Sequence, residues 1–464
     1  MMYPDGLKLA LVFPRVNCRS SDPPLGLASL CGFLRRHCPG VDVRIFDSSF
    51  DRSYSRILDE IGRFSPAIAG IFIDTVMFAN AAGLIASFRY LGIPVIIAGG
   101  PHASMLPESL EREADAVFIG EAERSLAHYL NAFGTDAVAC TPSAWITRDG
   151  RTIRNNAPAL LPEEDLPTPD RGSLDMERYA RCFHYLDSVG TRIRGTTMMA
   201  SRGCPYHCSY CQPTVDRMFG KSLRYRSVGS VIEELQRLAA DYRLSGFFFH
   251  DDTFFANLAW ISAFVDQLRK TKLAIVWGCN SRVDSLDKDI IIRARESGLR
   301  VIHLGIESVV DRIVNGMYRK RLPLEKISRW IDWLAANRIN ALGFFMIGGP
   351  SETEEEIRKT IRFARSSRLA EATFSITTPI PGTELHEFIK NSAGYLLSDE
   401  YRDYNYYSRR AFEGNNVPMK KLHRMQLRAL VGFYLAPRRL RYILRHLFSI
   451  QGIRKLLVKM QRYV

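Results

Sequence analysis

The sequence predicts an α/β protein: a doubly wound parallel sheet, then a partial (β/α)6 barrel, then a basic helical tail. Three observations predict it. Apolar runs of strand length alternate with helical stretches over residues 1–140, a proline-rich break covers 141–195, and a second alternation of six repeats fills 196–385. Residues 386–464 carry no such alternation and read as helical.

In chain order, Leu9–Phe13, Val41–Phe46, Ala67–Ile73, Pro94–Ala98 and Ala116–Ile119 read as strands. Helices are expected over Leu25–His37, Tyr54–Phe64, Ala79–Leu91 and Ala122–Ala132. The unbroken apolar run of the third strand implies burial on both faces, as in a parallel sheet covered by helices. Five strands joined this way make a nucleotide-binding type of sheet. Asp149-Gly150 marks a hairpin turn between Ala144–Thr147 and Arg151–Ile153, and Pro158, Pro162, Pro167 and Pro169 mark a linker.

The second alternation places strands at Thr196–Ala200, Gly246–His250, Ala274–Gly278, Val301–Ile306, Ala341–Ile347 and Ala372–Thr377. Ser230 is the expected N-cap of a helix over Val231–Tyr242, with Glu233 completing a capping box. Six βα units are too few for a closed eight-stranded barrel and suit an open one.

Composition narrows the function classes. The 464 residues are 46% hydrophobic and 24% charged, with 26 Phe, 19 Tyr and 5 Trp, too aromatic for a disordered chain. Apolar stretches such as Val76–Phe88 fall short of the roughly 18 residues a membrane span needs. Asp5 and Lys8 flank a short strand-like run with no cleavage site behind it, so no secretory leader is expected. A cytoplasmic, reduced protein follows, whose nine cysteines serve as thiols or metal ligands. The net charge of +14 sits in the tail: Met419–Val464 holds 12 Lys and Arg and no Asp or Glu, while 1–418 holds 51 against 49. The high pI therefore gives no reason to expect nucleic-acid binding by the whole chain.

The stretch that carries chemistry is Ser201-Arg-Gly-Cys204-Pro-Tyr-His-Cys208-Ser-Tyr-Cys211, directly after the first barrel strand. Three thiolates at C-x3-C-x2-C can hold three irons of a cluster and leave one iron open to a reactant. The strand's C-terminal end is where barrel folds place their chemistry. A structural zinc site would need a fourth ligand, for which His207 stands nearby.

This motif and its setting resemble the radical S-adenosylmethionine (SAM) superfamily, over about 196–380. The resemblance implies that Cys204, Cys208 and Cys211 bind a 4Fe-4S cluster whose open iron chelates SAM. Reductive cleavage would then give a 5′-deoxyadenosyl radical. Tyr210 stands at the family's aromatic position against the adenine. Asp251 or Asp252, after the second strand, would meet the SAM amino group. Arg282, after the third, would meet the carboxylate or ribose, and Glu307, after the fourth, the ribose hydroxyls. Gly348, after the fifth, would offer backbone to the adenine. Plainer readings stand beside these: an Asp pair as a helix cap, and Arg282 with Glu307 as a buried structural pair.

The first sheet resembles the cobalamin-binding domain of one radical-SAM class, a flavodoxin-like fold. Pro24 and Gly26, Thr75, Gly99, Gly100 and His102, and Glu121 are the residues that would line its cofactor crevice. No Asp-x-His-x-x-Gly motif is present. His37-Cys-Pro-Gly40 lacks the aspartate and lies before the wrong strand, so no histidine ligand to cobalt is expected. His102 could equally stabilise a turn.

In the tail, Leu440, Ile443, Leu444 and Leu447 would share one helical face, opposite Arg438, Arg441 and Arg445. Such a helix can lie on an anionic membrane surface or cap the barrel. The expectation that results is a cobalamin-dependent radical-SAM enzyme that methylates an unactivated carbon of a small or lipid-like substrate. It would use an electron donor such as flavodoxin or ferredoxin. The alternatives are ring formation or rearrangement without methyl transfer, and a non-catalytic cobalamin or cluster sensor.

Overall fold

The computed structural model describes residues 6–15, 22–51, 53–148, 150–156, 160–405, 411–414, 416–439 and 452–453. It divides into two compact units. The first is Met1–Met176 with Gln212–Arg226, and the second is Glu177–Cys211 with Ser227–Val464.

The first unit is built on one seven-stranded sheet. Its strands are β1 (Leu7–Phe13), β2 (Val41–Asp47), β3 (Ile68–Phe72), β4 (Val95–Gly99), β5 (Ala116–Phe118), β6 (Ala144–Arg148) and β7 (Arg151–Asn155), in the order β2-β1-β3-β4-β5-β6-β7. The first five run parallel. Alternation along β1 explains the double winding. Leu9 and Leu11 face the helices Leu25–His37 and Glu123–Asn131 through Leu30, Leu34 and Leu126. Ala10 and Val12 face the helices Ser55–Phe64 and Phe78–Tyr90 through Ile61, Leu84 and Phe88. The order reverses between β1 and β3, which opens a crevice at their C-terminal ends.

The hairpin β6–β7 continues this sheet, pairing antiparallel with β5. The sequence reading has this hairpin, but sets it within the 141–195 break rather than in the sheet. A short antiparallel edge leaves no alternating helix signal to find.

The second unit holds six parallel strands in sequential spatial order: Gly195–Met198, Gly246–Phe249, Val276–Ser281, Leu299–Glu307, Asn340–Ile347 and Glu371–Ile376. They form an open half-barrel. Phe247 and Phe249 point outward into an aromatic layer with Phe264 and Trp277, whereas Phe248 points to the other face, against Tyr185 and His303. Helix Met419–Tyr434 lies along the last strand, where Gln426 Nε2 donates to Phe374 O at 2.7 Å. That covers a strand edge that would otherwise expose backbone groups.

Two local expectations differ from the structure. The helix expected from Val231 begins one residue after Ser227, at Val228. Ser227, not Ser230, is its cap, accepting from Ser230 N. The tail residues Leu440–Leu447, Arg441 and Arg445 lie outside the described residues, as do Asp149 and Pro158.

Candidate active site

The cysteine loop leaves the first barrel strand and is pinned at its centre. Ser209 N donates to Tyr318 O at 3.0 Å, its hydroxyl donates to Met317 O at 2.7 Å, and its carbonyl accepts from Leu385 N at 2.8 Å. Cys211 N closes a turn onto Cys208 O. Cys208 is buried, while Cys204 and Cys211 remain partly accessible. The thiols lie within one another's electrostatic reach. Burial first, then the nearby Asp252 and Cys208, push the Cys204 thiol up to about 11. Cys211 moves further in the same direction for the same kinds of reason. Among the described residues, no three His, Cys, Asp or Glu side chains gather tightly enough to hold a single metal ion. Each thiolate of a four-iron cluster binds a different iron, which asks for a wider triangle, and three thiols without a fourth ligand fit that group.

Beside this loop lies a buried polar triad. Lys320 Nζ sits 2.6 Å from Glu307 Oε1 and 3.3 Å from Tyr210 Oη, and Tyr210 Oη donates to the same Glu307 oxygen at 3.1 Å. Glu307 is 6% exposed and Lys320 5%. Glu307 ends the fourth strand in the left-handed region, at φ 60°, a conformation that non-glycine residues keep only where the surroundings enforce it. Gly305 makes room for the pair, since a Cβ there would stand 2.6 Å from Lys320 Nζ. Burial and the Glu307 charge hold the Tyr210 hydroxyl well above its ordinary pKa.

Arg282, after the third strand, is held by four partners. Asp284 accepts from Nε at 2.9 Å and Nη2 at 2.8 Å, and Lys320 O accepts from Nη2 at 2.6 Å. Nη1 points at Cys208 Sγ, 3.6 Å away. The guanidinium lies 3.8 Å above the centre of the Tyr206 ring. The alternative in which Arg282 pairs with Glu307 is therefore not what forms; each has its own partner.

The aspartate pair divides its labour. Asp251 is buried and accepts from Ala200 N, Ser201 N and Ser201 Oγ, tying the second strand to the start of the cysteine loop. Asp252 is exposed, yet surrounding protein pushes its carboxyl up to about 6, with Asp251 adding to it. Gly348, at φ 77°, and Gly349 donate to Glu352 Oε2 at 2.6 and 3.0 Å, which shapes the loop after the fifth strand.

In the first unit, Pro24, Gly26, Thr75, Gly99 and Gly100 collect at the C-terminal ends of β1, β3 and β4. Gly26 is exposed, and a Cβ there would meet nothing within 4 Å. Gly100 is at φ 107°, and a Cβ on it would stand 2.8 Å from Ile73 O, so only glycine fits. An open helix start and a close backbone edge at the switch point suit a large nucleotide-bearing cofactor.

Two residues expected to touch that cofactor are instead engaged inside the unit. His102 Nδ1 lies 3.1 Å from Thr75 Oγ1 and Nε2 lies 3.2 Å from Ser109 Oγ, and burial lowers its pKa to about 4. Glu121 pairs with Arg224 and accepts from Leu161 N. Asp251 makes a third such case in the half-barrel. A strand-end polar residue looks the same in sequence whether it faces a ligand or a neighbouring loop. Lys320, Asp284 and Tyr206 escaped the sequence reading because their roles depend on contacts across loops, and the run Arg319-Lys320-Arg321 reads as solvated charge.

Residues 198–364 match the radical SAM superfamily, and residues 16–130 match the B12 binding domain. The chain is 30% identical over 446 residues to a protein of Pyrococcus horikoshii described as an uncharacterized methyltransferase, covering 93% of each. It is 26% identical over 420 residues to cytidylyl-2-hydroxyethylphosphonate methyltransferase of Streptomyces wedmorensis, covering 78% of this chain and 77% of that one. The fold is shared with the radical S-adenosylmethionine methyltransferase TsrM of Kitasatospora setae, solved with cobalamin and a 4Fe-4S cluster. The TM-score is 0.69 at 18% identity, covering 85% of this chain and 78% of that one.

Proposed function

Since the chain belongs to the radical SAM superfamily, in the class that carries a B12-binding domain ahead of the barrel, we propose that it methylates an unactivated carbon of a small or lipid-like substrate. When bound, the cluster supplies the electron that cleaves SAM, and the corrin carries the methyl group. The observation that carries this reading is the cysteine loop: three thiols in mutual electrostatic reach, pinned through Ser209 beside the Tyr210–Glu307–Lys320 triad.

In this reading Cys204, Cys208 and Cys211 ligate the cluster. Asp252, the open member of its pair, receives the SAM amino group. Tyr210 and Glu307 present a fixed polar edge to the nucleoside, and Lys320 holds Glu307 in place by pairing with it. Gly348 and Gly349, turned by Glu352, offer backbone to the adenine. Pro24, Gly26, Thr75, Gly99 and Gly100 form the cobalamin edge, with His102 and Glu121 holding it in place. A low-potential flavodoxin or ferredoxin supplies the electron.

The test is anaerobic purification with cobalamin supplied, iron–sulfide reconstitution, and metal and visible-absorbance analysis, followed by turnover with methyl-labelled SAM. About four irons per chain, corrin bands and label in a carbon-bound methyl group support the proposal. Cluster and corrin with SAM cleavage but no label transfer favour the ring-forming alternative, cofactors without SAM cleavage favour the sensor, and zinc in place of iron defeats the radical reading.

Peripheral membrane contact also has support on the second unit. A cavity of about 920 Å³ near the N-terminal ends of the last two strands is lined by Arg338, Arg368, Arg438 and Arg439 and, among the described residues, by no carboxylate. Val431 and Leu435, 54% and 62% exposed, stand close by in sequence at the end of the last described long helix. Co-sedimentation with anionic but not neutral vesicles is expected. Equal binding to both, or none, removes this part of the reading.

A further inference from the structure

Arg282 was expected to meet SAM at the end of the third strand, yet its donors point elsewhere. Asp284 takes Nε and Nη2 as a fork, and Lys320 O takes Nη2 again. The donor left over, Nη1, is directed at the sulfur of Cys208. The Tyr206 ring, within the same cysteine loop, supports the guanidinium from below. The guanidinium is buried, the Arg282 side chain being 7% exposed, while that of Asp284 is 22% exposed. A guanidinium is planar and its fork is rigid, so fixing two nitrogens fixes the third.

From this geometry we infer that Arg282 is a positioning residue for the cluster: it donates a hydrogen bond to the Cys208 thiolate and thereby raises the cluster's reduction potential. The inference rests on the reading that the three cysteines hold a cluster. Hydrogen bonds to cluster sulfurs and nearby charge are among the levers that set such potentials. A donor on the sulfur stabilises the reduced, more negative cluster more than the oxidised one. Asp284 works against this by neutralising the guanidinium. The pair therefore sets the potential from both sides: Arg282 upward, and Asp284 back toward the unassisted value.

The arrangement also links the two halves of the site. Lys320 gives its carbonyl to Arg282 and its ammonium to Glu307. A shift of the guanidinium would move the loop that carries Lys320, and with it the polar edge formed by Glu307 and Tyr210.

The experiment is a redox titration of the reconstituted full-length protein, followed by electron paramagnetic resonance, for the unaltered chain, Arg282→Gln and Asp284→Asn. Iron content is measured in parallel. The midpoint is expected to move to lower potential in Arg282→Gln and to higher potential in Asp284→Asn, with full iron in both. Unmoved midpoints in both fully loaded variants overturn the inference. Should Arg282→Gln fail to fold or to hold iron, Asp284→Asn decides: a rise supports the inference and an unchanged midpoint overturns it. A role confined to holding the loop would lower iron occupancy without shifting the potential of the clusters that form. Failure of the unaltered chain to assemble any cluster is a separate result, which overturns the two-cofactor reading itself.

Discussion

Arg224 Nη2 lies 2.6 Å from Glu121 Oε1, and Nη1 lies 3.1 Å from Oε2, both side chains being buried in the first unit. The arginine also donates to the carbonyls of Leu161 and Phe219. Glu121 follows β5, while Arg224 belongs to the segment Gln212–Arg226, which begins one residue after Cys211. The chain thus runs straight from the last cysteine into the B12-binding unit, stays for fifteen residues, and returns at Ser227. A residue expected to touch a cofactor is the anchor of that excursion.

Glu121→Ala should be strongly destabilising. It leaves a buried guanidinium without its counter-ion, a change that costs about 3–5 kcal/mol. The double variant Glu121→Met/Arg224→Met should recover most of that stability, because it removes both charges together. Urea unfolding curves of the three proteins measure this. A single variant that loses less than about 1 kcal/mol would show that the pair is solvated in solution.

The same logic applies to Lys320 and Glu307, with a functional readout added. Lys320→Met leaves a carboxylate facing only the Tyr210 hydroxyl, and SAM affinity should fall on the order of tenfold, equivalent to about 1.4 kcal/mol. Equilibrium binding of SAM to the reconstituted enzyme measures it. Lys320→Arg keeps a cation but not its shape in a space bounded by Gly305, so partial rescue at most is expected. Unchanged affinity in Lys320→Met would remove Glu307 from the SAM site.

How much of this was legible in sequence depends on the range of the interaction. The helix Leu25–His37 has the bounds its apolar periodicity gives, and the half-barrel strand beginning at Gly246 starts where alternation puts it. The cysteine spacing is local, so its chemistry was readable. Lys320 and Glu307 are 13 residues apart, Arg282 and Cys208 are 74 apart, and Glu121 and Arg224 are 103 apart. Those pairs are made by the topology of loops, which no local pattern encodes. The cap at Ser227 was missed for a smaller reason: Ser230 is an equally good cap by type, and only the backbone decides between them.

Stability should respond to pH through His102. Burial lowers its folded pKa from 6.5 to about 4. Between those values the unfolded chain takes up a proton that the folded chain refuses, so stability falls as pH drops from about 6.5 toward 4. The full effect is about 3 kcal/mol. His102→Asn removes the titration. Its stability difference from the unaltered protein should therefore shift steadily in the variant's favour as pH falls across that window. Denaturant midpoints at half-unit pH steps measure it, and a difference constant with pH would place His102 in solvent.

Glu352 should act in the opposite direction in the half-barrel. Its carboxyl is fully buried and pushed up from 4.5 to about 7, chiefly by desolvation, with the Gly348 and Gly349 N–H groups opposing. Between those values the folded protein keeps a proton that the unfolded chain has released. The stabilisation from this group is therefore complete below pH 4.5 and is lost as pH rises to about 7. Glu352→Gln keeps an oxygen acceptor for the two N–H groups and stays neutral throughout. Relative to the unaltered protein it should gain up to about 3 kcal/mol at pH 8, with the gain shrinking toward pH 5. Thermal melts at the two pH values measure this. A variant destabilised equally at both would mean that the loop needs the carboxylate's charge to hold Gly348 and Gly349, so that the backbone proposed to face the adenine is shaped by a charged hydrogen bond.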